Sequence, residues 1–293
     1  MAIRPRVTSV GLIVLPDPAE SFVYPAHIDR ASIDALPAAP GVYLFLDRHD
    51  VPVYIGKSVN IRARVLSHLR APDEASMLAA TCRVDCIRTA GEIGALLLES
   101  RLIKQMQPVF NVLLRWTGDI FSLRSDGRKL QVVGSCDDDF DNGPRYGLFP
   151  SRSTAQQGLE NLVRQHMLCP ALTGIEKATN GRACFAHQIG RCRGACAGKE
   201  SVQEHDARLQ LALEQLEAEV WPYAGPIGIV EEGEDRRDVH VVERWSHLCT
   251  LQGRRKTFRR PARRNIDIDV YKILSRPLLA NELQVIDLSS SAR

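Results

Sequence analysis

The sequence predicts an α+β fold, with a small sheet of three antiparallel strands flanked by helices, then a cysteine-rich region and a mixed α/β C-terminal part. Three observations predict it. Two strand-like runs, Gly41–Leu46 and Val51–Ile55, are joined by the turn-forming Asp47-Arg48-His49-Asp50, as in a hairpin. Two helical patterns follow, one on each side of a third strand-like run. Four cysteines then crowd between residues 169 and 196.

Residues 1–36 read as an N-terminal arm, with prolines at 5, 16, 18 and 25 interrupting any long element. A compact unit spans 37–113. Pro52 suits an edge strand or a strand's first residue. Gly56-Lys57-Ser58 leads into a helix capped by Asn60, whose apolar stripe is Ile61, Val65, Leu66 and Leu69. The third strand covers Cys82 to Arg88. A long helix then runs from about Ile93 to Gln105 and stops before Pro108. Residues 114–168 connect, with strands, the hairpin turn Asp126-Gly127, and a helix from Ser153 to His166. The four-cysteine region occupies 169–200. Residues 201–293 begin with a helix, Val202 to Val220, carrying Leu209, Leu211, Leu213 and Leu216. They end in a tail that would hold a partner- or DNA-binding surface.

Composition excludes several classes. The 293 residues suffice for two or three small domains, and 44% hydrophobic with 25% charged residues reads as globular. The net charge of +3 gives no global electrostatic case for nucleic acid, so any such case rests on local clusters. The apolar run Val10 to Leu15 is shorter than the roughly 7–15 residues of a secretory core. No stretch approaches the about 20 residues needed to cross a bilayer. A cytoplasmic, reducing setting follows, where clustered cysteines serve metals rather than disulfides.

The chemistry-bearing residues of the first unit form a pattern. A strand tyrosine such as Tyr43 or Tyr54 is by itself a half-buried packing residue. Arg64 and His68, however, lie four apart on one helix and share a face. Like charges there suit a phosphate, for which arginine supplies a forked donor set. Glu99 has apolar neighbours at Ala95, Leu96, Leu102 and Ile103. A carboxylate there either snorkels to water or is paired or metal-bound. In the second cluster, Cys169, Cys184, Cys192 and Cys196 are separated by 14, 7 and 3 residues. Only the last pair has the usual zinc spacing. Four thiolates at long gaps also suit an iron–sulfur cluster, and buried packing thiols are the plain alternative. Cys82, Cys86, Cys136 and Cys249 show no pattern and read as core or surface thiols.

In order and spacing, Gly41-Val42-Tyr43, Val53-Tyr54-Ile55-Gly56-Lys57, Asn60 to Val65, Glu99 and Asn111 resemble the motifs of GIY-YIG nucleases, most closely those of UvrC. The resemblance implies an endodeoxyribonuclease that hydrolyses phosphodiester bonds. Tyr54 would activate the attacking water, with Tyr43 as its partner on the adjacent strand. Arg64 would bind the scissile phosphate, Glu99 would hold a divalent cation (Mg²⁺ or Mn²⁺), Asn111 would orient the site, and Lys57 would assist. UvrC proteins usually carry tyrosine where this chain has His68, which leaves Tyr54 and His68 both open as the base. A tyrosine base needs help at neutral pH, and Lys57, Arg64 and the cation would favour its phenolate.

Tyr146-Gly147-Leu148-Phe149-Pro150 and His187 through Cys196 also resemble UvrC segments. They imply a [4Fe–4S] cluster on Cys169, Cys184, Cys192 and Cys196, with zinc as the alternative. Resemblance covers about residues 37–200. No room remains for the second nuclease domain with which UvrC makes its 5′ cut, and no UvrB-binding helical hairpin is evident. A short UvrC homologue is therefore implied, making the 3′ incision on damaged double-stranded DNA marked by UvrA and UvrB, as a monomer and without a membrane. Lys57, Arg62, Arg64 and Arg70, or the stretch Arg254 to Arg264, would track phosphates, unless the latter is a solvated loop. The alternatives are an iron–sulfur or zinc DNA-binding module with an inactive nuclease fold, and a sequence-specific GIY-YIG endonuclease. The intact motif residues argue against the first, and the absence of a base-reading pattern argues against the second.

Overall fold

The computed structural model describes residues 24–115, 118–137, 140, 143–177, 182–253, 258 and 266–289. The Val10–Leu15 run and the basic side chains between Arg254 and Arg264 lie outside the described residues. Among those described, no helix is long and apolar enough to cross a membrane.

The first unit holds α1 (Arg30–Asp34), β1 (Gly41–Leu46), β2 (Pro52–Ser58), α2 (Ile61–Leu69), α3 (Ala75–Ala80), β3 (Arg83–Arg88) and α4 (Glu92–Met106). Its antiparallel sheet has the order β2-β1-β3. Every residue of the central strand β1 is buried, because its alternating side chains serve two cores. Tyr43 and Phe45 pack with Ile61, Val65 and Leu69 of α2. Val42, Leu44 and Leu46 pack with Leu102 and Ile103 of α4. Ile28, Ile33 and Leu36, which the sequence reading leaves in the N-terminal arm, are buried in the α2-side core. The Asn60 side chain caps α2 by accepting from the Ala63 N–H at 3.0 Å. Strand β2 runs to Ser58, three residues past the expected end, because Gly56, Lys57 and Ser58 still pair with Tyr43, Val42 and Gly41. Pro52 does stand first in this edge strand.

A second antiparallel sheet, order β5-β4-β6, is built from β4 (Phe121–Ser125), β5 (Leu130–Gly134) and β6 (Tyr146–Phe149). Behind it pack α5 (Arg152–Gln165) and, after the short α6 (Pro170–Thr173) and α7 (Phe185–Gln188), α8 (Val202–Glu214). Helix α8 ends six residues before the expected Val220. The chain there leaves the helix to bond with β6: Gly147 N–H donates to Leu216 O at 2.6 Å, and Ala218 N–H to Arg145 O at 2.7 Å. Leu209 and Leu213 are buried, whereas Leu211 is 62% exposed.

The tail forms a third sheet, order β10-β7-β8-β9, from β7 (Ile227–Glu232), β8 (Arg237–Glu243), β9 (Ser246–Gln252) and β10 (Gln284–Asp287), with α9 (Ile268–Leu279) against it. Leu97 and Ile93 of α4 join its core beside Ile229, Val242, Trp245 and Leu274. The apolar residues of helix α4 are thus divided between two cores, because it is packed on two sides.

Leu97→Ala is expected to cost about 2–5 kcal/mol, read from the denaturant midpoint of the Trp245 fluorescence transition. Leu211→Ala should stay within about 0.5 kcal/mol of wild type.

Candidate active site and cysteine cluster

Tyr43 pairs with Gly56 and Phe45 with Tyr54 across β1 and β2, so both tyrosines face the same side, toward α2. A Cβ at position 56 would collide with the Tyr43 hydroxyl, which explains the glycine there. The Tyr43 hydroxyl donates to His68 Nε2 at 2.7 Å, and His68 Nδ1–H donates to the Glu74 carboxylate. The Tyr54 ring lies beside that of Tyr43, with centroids 6.3 Å apart, and Arg64 acts electrostatically on the Tyr43 hydroxyl to favour its ionised form. His68 is only 2% exposed, and the Tyr54 ring stands edge-on to it at 5.5 Å.

Burial dominates the electrostatics. It pushes the Tyr43 hydroxyl well above its usual range and raises that of Tyr54, with Glu99 adding to the effect on Tyr54 and Arg64 opposing it. Burial also lowers the His68 imidazole, against the pull of Glu74. The expectation that neighbouring cations favour a tyrosinate is therefore corrected for the protein alone. Desolvation outweighs Arg64, and the Lys57 ammonium sits on Glu92 Oε1 at 2.6 Å instead.

On the outer edge of β2, alternate residues present their backbone groups away from β1. Val53 O accepts from Phe110 N–H at 3.0 Å. Asn111, 8% exposed, accepts from Ile55 N–H and donates to Ile55 O, both at 2.8 Å. Glu99 Oε1 accepts from Lys57 N–H at 2.9 Å. Glu99 therefore turns toward the edge strand rather than snorkelling to water, and its burial raises its carboxyl despite the Lys57 amide. Among the described residues this amide N–H is the one hydrogen-bond donor to it, which leaves the second carboxylate oxygen for a cation, an oxygen donor of the type such cations take.

All seven sequence-predicted residues thus converge on β2 and its two flanks, although Lys57 contributes through its backbone. The sequence reading missed Glu74. It lies in the 3₁₀ turn Pro72–Glu74, where an acidic residue is unremarkable, and only its link to His68 marks it.

The four cysteines, separated by long gaps in sequence, also meet. Cys169, Cys184, Cys192 and Cys196 form one cluster, and the Sγ atoms of Cys169, Cys184 and Cys196 lie within 4.8 Å of one another. Backbone N–H groups of Cys184 and Gly194 donate to the sulfurs of Cys196 and Cys192, each at 3.3 Å. Gly194 takes the left-handed φ of +83° that this turn requires. Burial pushes the Cys184 and Cys192 thiols up, so the neutral form prevails without a metal, and a metal would hold them as thiolates. Cys82, Cys86, Cys136 and Cys249 lie outside this cluster.

Comparison with known proteins gives three family matches: a UvrC-like GIY-YIG domain over residues 39–112, the UvrC/Cho excinuclease middle domain over 121–215, and the excinuclease Cho C-terminal domain over 226–292. Excinuclease cho of Salmonella typhi is 44% identical over 280 residues, covering 94% of this chain and 94% of that protein. Its counterpart in Escherichia coli (strain K12) is 44% identical over 275 residues, covering 92% of each. The GIY-YIG N-terminal endonuclease domain of UvrC from Thermotoga maritima, solved with its catalytic divalent cation magnesium, is 33% identical. The match covers 28% of this chain and 94% of that one, with a TM-score of 0.27.

Asn111→Ala removes both edge partners of Ile55. It should lower the unfolding free energy by about 1–3 kcal/mol and accelerate amide exchange at Ile55, with Leu123 in the second sheet unchanged.

Proposed function

The chain belongs to the excinuclease Cho family, and from that premise we propose that it makes the 3′ incision beside a lesion in double-stranded DNA, on complexes prepared by UvrA and UvrB. It is a DNA endonuclease of nucleotide excision repair. The observation that carries the mechanism is the hydrogen-bonded row Tyr43–His68–Glu74, with the Tyr54 ring packed against both Tyr43 and His68.

The row solves the tyrosine problem, since no phenolate need stand ready. As water attacks the phosphorus, its proton passes to the Tyr54 oxygen. The Tyr54 proton moves to Tyr43, and the Tyr43 proton to His68 Nε2. The P–O bond to the leaving sugar oxygen breaks as the bond from the water oxygen forms. Glu74 offsets the charge on the resulting imidazolium, and burial keeps His68 neutral and so able to accept a proton. Tyr54 and His68 thus share the work of the base. Arg64, on the exposed face of α2, holds the scissile phosphate and offsets its growing charge. Glu99 would hold a divalent cation, Mg²⁺ or Mn²⁺, which would polarise the phosphate and ease departure of the leaving oxygen. Arg62 and Arg70, also exposed on α2, supply further phosphate contacts. Asn111 acts indirectly by fixing the strand that carries Tyr54.

For the four cysteines we favour a [4Fe–4S] cluster, on the likeness of their surroundings to the UvrC segments. Zinc is the second reading. The Cys169–Cys184 Sγ separation is 3.9 Å, near the about 3.8 Å edge of a thiolate tetrahedron with zinc–sulfur bonds of about 2.3 Å.

The test is incision of a duplex carrying one bulky lesion, with UvrA, UvrB, ATP and Mg²⁺. Wild type should make a single cut 3′ of the lesion. Arg64→Ala should slow it about 10²–10³-fold, and Glu99→Gln should abolish it with DNA still bound. No cut by wild type under any divalent metal, with DNA bound, would support an inactive binding module. A cut at one sequence in undamaged DNA would support a site-specific enzyme. Separately, protein purified without oxygen should contain iron and acid-labile sulfide and be brown, and Cys192→Ser should bleach it. A colourless, zinc-loaded wild type would overturn the cluster.

A further inference from the structure

We propose that Glu231, on β7 of the C-terminal sheet, is a positioning residue for incision, holding the N-terminus of α4 and so setting where Glu99 offers its carboxylate to the cation. The inference rests on the reading of Glu99 as the cation's ligand. Glu231 crosses from one sheet to the other unit's helix. Its Oε1 accepts from Ile93 N–H at 2.8 Å, and its Oε2 from Gly94 N–H at 2.7 Å. These are first-turn donors that no residue within the helix satisfies. The capping residue on the helix's own side, Gly91, has no side chain to do so.

The site is shaped for this carboxylate. A Cβ at position 91 would fall on Oε1, and one at 94 would come within 2.8 Å of the His240 ring and 2.9 Å of Oε2. His240 Nε2 lies 3.0 Å from Oε2, while its Nδ1 lies 3.0 Å from Thr250 Oγ1. The His240 side chain is 1% exposed and that of Glu231 14%. Hydrogen bonds to His240 and to both amides hold the carboxyl below its usual range even though burial opposes them. It therefore caps α4 as an anion, the charge favoured at that end.

The other end of α4 is tied to the same unit. Lys104 Nζ meets Asp267 Oδ1 at 2.6 Å and Asp269 Oδ2 at 2.7 Å, at the start of α9. Glu99 stands between these ties, about 9 Å along the helix from Ile93. Its partner, the Lys57 amide, belongs to the nuclease sheet. The C-terminal sheet thus sets the axial position of α4 and the nuclease sheet supplies its target. A small slip between them moves the carboxylate off the cation.

The experiment is a Mn²⁺ titration of the full-length chain, following the signal of free Mn²⁺ by electron paramagnetic resonance. The site read is the one that Glu99→Gln removes. Glu231→Ala and Gly94→Ala should each weaken it roughly 10–100-fold, and Glu231→Gln, which keeps one acceptor, should weaken it less. Arg88→Ala removes the 2.8 and 2.9 Å bridges from Arg88 to Asp235 between the same two units, so it tests general loosening and should bind Mn²⁺ as wild type does. If Glu231→Ala does not fold, Glu231→Gln and Gly94→Ala give the same reading. Wild-type Mn²⁺ affinity in the folded Glu231 and Gly94 variants, or equal weakening in Arg88→Ala, would overturn the proposal. Unchanged Mn²⁺ binding in Glu99→Gln would instead remove the assigned ligand, and this inference with it.

Discussion

The free edge of β2 is the constraint on which the site depends. An edge strand presents N–H and C=O groups that need partners or water, and a bare edge invites pairing with another chain. Here Val53, Ile55 and Lys57 are satisfied in turn by the Phe110 amide, the Asn111 side chain and the Glu99 carboxylate. Two of these three partners belong to the nuclease motif. The strand that carries Tyr54 is thus closed by residues to which the proposed mechanism gives its chemistry. This accounts for the acid embedded in the apolar surface of α4. Its cost is offset by a backbone donor that would otherwise lack a partner.

The opposite face of the same sheet carries the proposed proton path. Tyr43 stands at the centre because Gly56 across the ladder leaves room for its hydroxyl and His68 reaches it from α2. Burial makes each tyrosine a poor acid, which would be fatal to a lone base. In the proposed relay that difficulty is removed, since each tyrosine gives up one proton while gaining another and His68 takes the last. In the proposed mechanism the base and the cation's ligand lie on the two flanks of one strand and need not compete for charge.

Much of this was legible in the sequence, for identifiable reasons. The hairpin, the Asn60 cap and the α4 pattern are local, so spacing reports them. Glu99 was conspicuous because a charge broke an apolar stripe. Glu74 was not, because an acid in a turn after Pro72 looks solvated until His68 is seen beside it. Strand β2 outran its expected end because the Gly56-Lys57-Ser58 stretch reads as a turn, and only β1 holds it extended. Helix α8 fell short because Leu216 and Glu217 are claimed by β6, a long-range pairing that periodicity does not report. The tyrosinate expectation failed because charges can be counted in sequence and burial cannot.

Helix α4 has consequences for how far this protein can be treated as a set of modules. Ile93 and Leu97 belong to one core and Leu102 and Ile103 to another. A nuclease fragment ending near residue 113 would keep the whole motif yet bare an apolar strip, lose the anion at the helix start and leave Lys104 without its aspartates. Such a piece would invite aggregation, and grafting it onto a foreign tail would work only if the tail brought a matching hydrophobic seat and a carboxylate in place of Glu231. The seam between these units runs along the length of a helix, so shuffling by cutting in the loop after it divides packing that the two units share.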